Sequence, residues 1–417
     1  MASTNARRNE SIAGGIPGQR GATQIRPAEP AEMGEFARVV STSLAMPADR
    51  FDSLQPGWTL CAFEDGQLAT AYAAWPFQMR MNGKAMPVAG VTTVSTNPLY
   101  RRRGNLRAIM EFDFRRRHLQ GEPVAALYAS MAAIYQRYGY AVVTTHHRYT
   151  IEPRHLQFVV AQSVPGTFRE TSSDDLGTLV DIYRRFREAR TGYLHRGAAM
   201  WQAGVLAPPA PGDTLTVLVY QEEGCDLGYL VYTSGPGPVH GYAPSQQIQI
   251  RDLCWLMPAA YRACWEHLSR FDLVGEITWP VAPPDDPLPY LLVEPRVLND
   301  QSRDGILARI IDVDRAFASR GYAGEGECTF SVIDALCPWN EGTWSLRTSG
   351  SDTEVSKTTA DPDFVAPVST MAMLVFGQIS PSEAWRMGRL DTGDPPALAR
   401  CDALFRTAHR PFCPDHF

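Results

Sequence analysis

At 417 residues the chain is too long for one hydrophobic core and implies two or three domains. A hydrophobic fraction of 44%, a charged fraction of 20% and a formal charge of −6 describe an ordinary water-soluble protein and argue against general nucleic-acid binding. No apolar run reaches the length of a membrane span, and the eight cysteines are scattered with no C-x-x-C, so the reading is a cytoplasmic protein without membrane, metal site or disulfide framework.

Residues 1–22 carry an arginine pair with no apolar segment behind it and read as a disordered tail. Pro30 to Leu44 reads as a helix with Met33, Phe36, Ala37 and Val40 on one face. Strands over Trp58–Glu64 and Gln67–Met79 flank Asp65-Gly66, a strong hairpin signal, and Asn82-Gly83 marks the next turn. The uncharged, β-branched run Val88–Thr96 is a buried strand stopped by Asn97-Pro98. Arg101, Arg102, Arg103 and Gly104 then lead into Leu106, Ile109, Met110 and Phe114 at helical spacing.

A helix start has unpaired N–H groups and partial positive charge, so this strand, turn and helix suit an anion such as a pyrophosphate, with Gly104 permitting close approach. Taken alone, RRRG reads equally as a solvated basic turn. Val124–Ser130 is a second uncharged strand, placed parallel to the first by a right-handed crossover. Ala132–Gly139 forms a short helix and Tyr140–Arg148 a strand. Spacing alone makes Tyr135, Tyr138 and Tyr140 core aromatics, and adjacent His146 and His147 in a strand point to opposite faces and cannot chelate together.

The next region repeats this order of elements, with a helix over Asp174–Arg190, strands Leu215–Gln221, Leu227–Thr233 and Gln247–Leu256, then a helix over Pro258–Phe271. Here Trp255-Leu256-Met257-Pro258 stands where a phosphate turn would be and has neither glycine nor arginine. From Asp304 onward a strand (305–313), a helix (314–320), strands at Cys328–Asp334 and Thr343–Arg347, and helical segments within 362–388 form a third region.

Arg101-x-x-Gly104-x-Leu106 resembles the acyl-CoA loop of GNAT acetyltransferases, usually Gln/Arg-x-x-Gly-x-Gly/Ala, from which Leu106 departs. The longer run around it, with RTGYLHRG (190–197) and DDPLPYLL (285–292), is similar to the Eis branch of that family. The resemblance implies a mixed α+β fold of tandem GNAT domains followed by a sterol-carrier-protein-like domain. The borders are read as 23–165 for the catalytic domain, 166–300 for a degenerate second one and 301–417 for the third.

It further implies acetyl-CoA as co-substrate, with backbone contacts from Val94 and Thr96, diphosphate contacts from Arg101, Arg102, Arg103, Gly104 and Asn105, and Ser130 on the second strand. Tyr135 is the implied general acid and the terminal carboxylate of Phe417 the implied base, an anion at neutral pH with a pKa of about 3.5. A frayed end is the alternative for that tail. Implied partners are small-molecule amines, polycationic ones such as aminoglycosides above all, then protein lysines, with a homo-oligomer, usually a hexamer. Glu35 and Asp49 are acidic candidates for the acceptor side. The rival class is a non-catalytic acyl-CoA sensor or lipid-binding protein using the C-terminal domain.

Overall fold

The computed structural model describes residues 23–51, 53–162, 164–172, 175–237, 246–349 and 352–417; the expected tail at 1–22 lies outside them. Contacts divide the chain into two units, Met1–Ala73 with Thr93–Ile109, and Ala74–Thr92 with Met110–Phe417.

The first unit holds β1 (Gln24–Arg26), α1 (Met33–Leu44), β2 (Cys61–Glu64), the start of β3 (Gln67–Met81), the end of β4 (Lys84–Thr96) and the start of α2 (Asn105–Gln120). β1, β2 and β3 run antiparallel, and the β2–β3 turn places Asp65 and Gly66 both at positive φ (50° and 76°), as an Asp-Gly hairpin requires. Phe36, Val39 and Val40 form the buried stripe of α1, which ends where Ala45 turns left-handed.

In the second unit the chain continues with β5 (Val124–Leu127), α3 (Ala132–Gln136), β6 (Ala141–Val142) and β7 (Thr145–Ile151). Next come β8 (Thr167–Thr171), α4 (Leu176–Phe186), β9 (Thr191–Leu194), α5 (Ala198–Ala203), β10 (Thr214–Glu222), β11 (Cys225–Pro236), β12 (Gln246–Trp255), α6 (Pro258–Leu268), β13 (Val274–Ala282) and α7 (Leu288–Leu291). β4 pairs in parallel with β5 from Val88↔Val124 to Val91↔Leu127, as a right-handed crossover predicts. β8, β10, β11 and β12 are antiparallel, and β12 pairs in parallel with β13. The same architecture thus occurs twice.

Three strands cross the borders suggested by sequence. The strand expected over 140–148 breaks at Val143-Thr144: β6 stays in the first sheet, while β7 joins β13 in the second. β14 (Gln301–Asp304) lies beside β7, and β15 (Leu307–Ile310) lies between β5 and β6. Thr144 makes the junction, its carbonyl accepting from Gly305 and its hydroxyl from Ile306 (2.9 and 2.8 Å). Leu307–Ile310 is buried on both faces, and its one charged residue, Arg309, is fully buried and reaches Asp334 at 2.7 Å.

The remainder comprises α8 (Val313–Ala318), β16 (Gly326–Ile333), β17 (Gly342–Ser349), β18 (Asp352–Lys357), β19 (Phe364–Pro367), α9 (Val368–Phe376), α10 (Pro381–Arg386) and α11 (Leu398–Phe405). β18, β17 and β16 are antiparallel, with β19 parallel to β16. Arg320 is fully buried and donates to the carbonyls of Val375 (2.8 Å), Leu404 (3.3 Å) and Phe405, closing the C-terminal ends of α9 and α11. Arg320→Leu strands these carbonyls and should lower stability by about 3 kcal/mol. Urea unfolding followed by circular dichroism checks this; an unchanged midpoint would show that the carbonyls find other donors.

Candidate active site

In the first unit, β4 leaves regular strand geometry at Thr93, whose φ of 55° is unusual for a β-branched residue and stores strain of about 1–3 kcal/mol. The hydroxyls of Thr93 and Ser95 are buried without a partner, and the half-buried Val94 and Thr96 alternate with them. The amide of Asn97 bonds Ala69 (3.0 Å) and its side chain accepts from Leu99 (3.1 Å), which turns the chain toward the arginines.

Arg102 and Gly104 have φ of 64° and 89° while Arg103 between them does not, an alternation that turns successive N–H groups toward one concavity. Gly104 accepts the amide of Ala108 (3.0 Å), so α2 starts there. Among the described residues, none accepts the amides of Arg102, Arg103, Gly104 or Asn105. A Cβ at Gly104 would meet nothing within 4 Å, so glycine is needed for its backbone angle rather than for room.

The side chains are less uniform than the motif suggests. Arg101 and Arg102 are exposed. Arg103 instead donates to Glu64 (2.7 Å) and to the carbonyl of Leu99 (2.8 Å), and its guanidinium lies 5.0 Å from the Tyr100 ring centre. The buried Asn105 donates to the second oxygen of Glu64 (2.7 Å). Glu64 therefore clamps the loop, a role that 39 residues of separation from Arg103 hide in the sequence. A diphosphate fits this turn through its amides, the dipole of α2 and the exposed Arg101 and Arg102. Glu35, the acceptor-side candidate, pairs with exposed Arg38 at 3.5 Å, and the side chain of Asp49 lies outside the described residues.

In the second unit, pairing of β4 with β5 stops at Val91↔Leu127, and the chain continues through Tyr128 and exposed Ser130 into α3. Tyr135 on α3 is buried with its ring against Tyr140 (5.9 Å). Burial, then the neighbouring Tyr138, pushes its phenol up to about 12. Its hydroxyl bonds no described residue and is not among the sealed polar atoms, unlike that of Tyr140.

The last residues of the chain are folded against β3, β4 and β5. The amide of Phe412 bonds Thr191 (2.9 Å), and Tyr128 donates to the carbonyl of Cys413 (3.1 Å). His416 stacks on Tyr128 (4.4 Å), while the Phe417 ring sits edge-on to Phe77 (5.0 Å) and Tyr128 (5.5 Å). A Cβ at Gly90 would collide with Phe77 and lie 3.1 Å from the Phe417 ring, so the glycine makes space for both. No described residue forms an ion pair with the main-chain carboxyl of Phe417.

The repeated architecture lacks an equivalent turn. Between β12 and α6 the carbonyl of Met257 takes the amides of Ala260 and Tyr261, Pro258 has no N–H, and Trp255 packs on Tyr261 (4.5 Å) and Phe186 (4.8 Å). His147 meets Asp300 (2.6 Å) rather than His146. Among the described residues, Cys328, Asp363 and Cys401 are near enough to share a metal, a grouping that their spacing conceals, but Asp363 already accepts from Thr329 and Arg400.

If the turn at 102–105 receives a diphosphate, Gly104→Ala must force a side chain into left-handed backbone at about 1–2 kcal/mol. The dissociation constant for coenzyme A should rise about tenfold by calorimetry with circular dichroism unchanged. Unchanged affinity would remove the turn from the site.

Comparison with known proteins agrees with this architecture. Models described as "Acetyltransferase (GNAT) domain" match residues 24–143 and 192–310, and one described as "Sterol carrier protein domain" matches 313–414. An uncharacterised N-acetyltransferase of Streptomyces avermitilis is 28% identical over 94% of this chain and 98% of its own. N-acetyltransferase Eis of Mycobacterium tuberculosis is 30% identical over 77% of this chain and 78% of its own. The crystal structure of Eis1 from Mycobacterium abscessus superposes with a TM-score of 0.79 at 28% identity, covering 95% of this chain and all of that one. The enzymatic reading, rather than the non-catalytic rival, thus stands, with acetyl-CoA as co-substrate. By two GNAT domains, a sterol-carrier-protein-like domain and these relatives, the chain belongs to the Eis family of GNAT N-acetyltransferases.

Proposed function

We propose that the enzyme moves the acetyl group directly to the primary amine of a polycationic small molecule such as an aminoglycoside, with protein lysines as secondary acceptors. Acetyl-CoA supplies the acetyl group as an activated thioester. The amides of Arg102 to Asn105, with Arg101 and Arg102, hold its diphosphate, and Val94, Thr96 and Ser130 contact its arm. The Phe417 carboxylate draws in the ammonium and takes its proton, directly or through water. Tyr135 protonates the departing thiolate. The observation that carries this reading is the folded end of the chain: a carboxyl without an ion pair among the described residues, on a residue packed against Phe77, Gly90 and Tyr128.

We further propose a cytoplasmic homo-oligomer, a hexamer. Its support is family membership and the exposed Val159, Val160, Tyr290 and Val293 on two paired segments. No helix among the described residues is long and apolar enough to cross a membrane.

A thiol-release assay over aminoglycosides, simple diamines and lysine peptides tests the acceptor class. Turnover on polyamines well above that on lysine peptides is expected, and turnover on lysine peptides alone would contradict it. Tyr135→Phe should lower kcat about a hundredfold while the KM for acetyl-CoA stays within about twofold; full activity would reassign the acid. Since its phenol lies up to about 12, the acid stays protonated through the neutral and mildly alkaline range. The rate should climb with pH as the amine deprotonates, with no fall below about pH 10. A descending limb near pH 8 would name a different acid.

A further inference from the structure

We propose that Arg196 is a positioning residue for acetyl transfer, holding Asp415 so that Phe417, two residues on, stays in register against Phe77. This rests on the reading of Phe417 given above.

Arg196 follows β9, in the second GNAT domain, whose own phosphate turn is lost. It is buried, with its Nε 2.7 Å from Asp415 and its Nη1 2.5 Å from Asp252. Tyr229 donates to Asp252 (2.8 Å) and the Tyr183 hydroxyl lies 3.4 Å from Asp415. The guanidinium lies 4.0 Å from the Tyr183 ring centre and 4.8 Å from that of Trp201, so aromatic faces rather than water surround it. One planar fork meets two separate carboxylates from different edges, which a lysine cannot copy.

The segment around Arg196 is what gives the clamp a reference point. Met79 and Met81 of β3 pair with Leu194 and Thr191, and Gln78 accepts the amide of His195 (2.7 Å), immediately beside Phe77. On its other side, the Thr191 carbonyl accepts the amide of Phe412, and Gly192, at φ 96°, leaves room for the Phe412 carbonyl group, whose carbon is 2.9 Å from where a Cβ would stand. Residues 191–196 are thus tied to β3 and to the chain end together. The second domain, with no turn for a diphosphate, has become the seat of the tail.

Removing Arg196 alone leaves two buried carboxylates unpaired and can prevent folding, so the informative variant is the neutral set Arg196→Met, Asp252→Asn and Asp415→Asn, with Asp415→Asn alone beside it. Full-length protein is assayed with a polyamine acceptor, and hydrogen exchange is followed over 412–417. For the neutral set kcat should fall at least tenfold, toward the about hundredfold of a misplaced group, with the KM for acetyl-CoA within about twofold and faster tail exchange. Asp415→Asn keeps the hydrogen bond and should fall between the neutral set and wild type. A folded neutral set with wild-type kcat, or with unchanged tail exchange, overturns the role of Arg196. A Gly-Ser extension of the wild-type C-terminus separates the two levels: loss of turnover there with normal kcat in the neutral set defeats the clamp alone, whereas full turnover with the extension defeats the reading of Phe417 and the clamp with it.

Discussion

A buried guanidinium must find acceptors for its N–H groups and an offset for its charge, and Arg196 is met by Asp252 from β12 and Asp415 from the chain end. Desolvation raises the pKa of Asp415 above the ordinary carboxylate range, and the charge of Arg196 opposes that rise. The tail beyond α11 forms no helix or strand of its own, so side-chain anchors and a few backbone bonds must hold it. Phe412 in the aromatic cluster of the second domain, Cys413 under Tyr128 and Asp415 on Arg196 are those anchors, and Phe417 follows from them.

The two GNAT copies differ in loop chemistry rather than in fold. Both keep a pair of parallel strands joined by a helix: β4, α2 and β5 in one, β12, α6 and β13 in the other. In the first, alternating φ at Arg102 and Gly104 leaves amides without acceptors. In the second, Pro258 has no N–H, the Met257 carbonyl takes the amides of Ala260 and Tyr261, and Trp255 packs on Tyr261. Few residues decide whether a helix start receives an anion.

What sequence reveals here is local. Asp65-Gly66 and Asn82-Gly83 adopt left-handed turns because those residues tolerate them, and the uncharged strands and the stripe of α1 stand where periodicity puts them. Arg101 to Gly104 is legible as a turn before a helix, but the engagement of Arg103 and Asn105 by Glu64 is not, because it joins side chains brought together only by folding. The same holds for Arg196 with Asp415, 219 residues apart, and for β15, whose place between β5 and β6 is a matter of topology. β18 gives little signal because Asp352–Lys357 is mostly polar, and its half-buried face holds only Thr353 and Val355, too short an alternation to stand out.

If one GNAT copy is active and the other a scaffold, each chain has a single place for acetyl-CoA. Equilibrium dialysis at saturating ligand against protein of known concentration should give one acetyl-CoA per chain. Two per chain would mean that the helix start at Pro258 also accepts a diphosphate, and that the second copy is no mere scaffold.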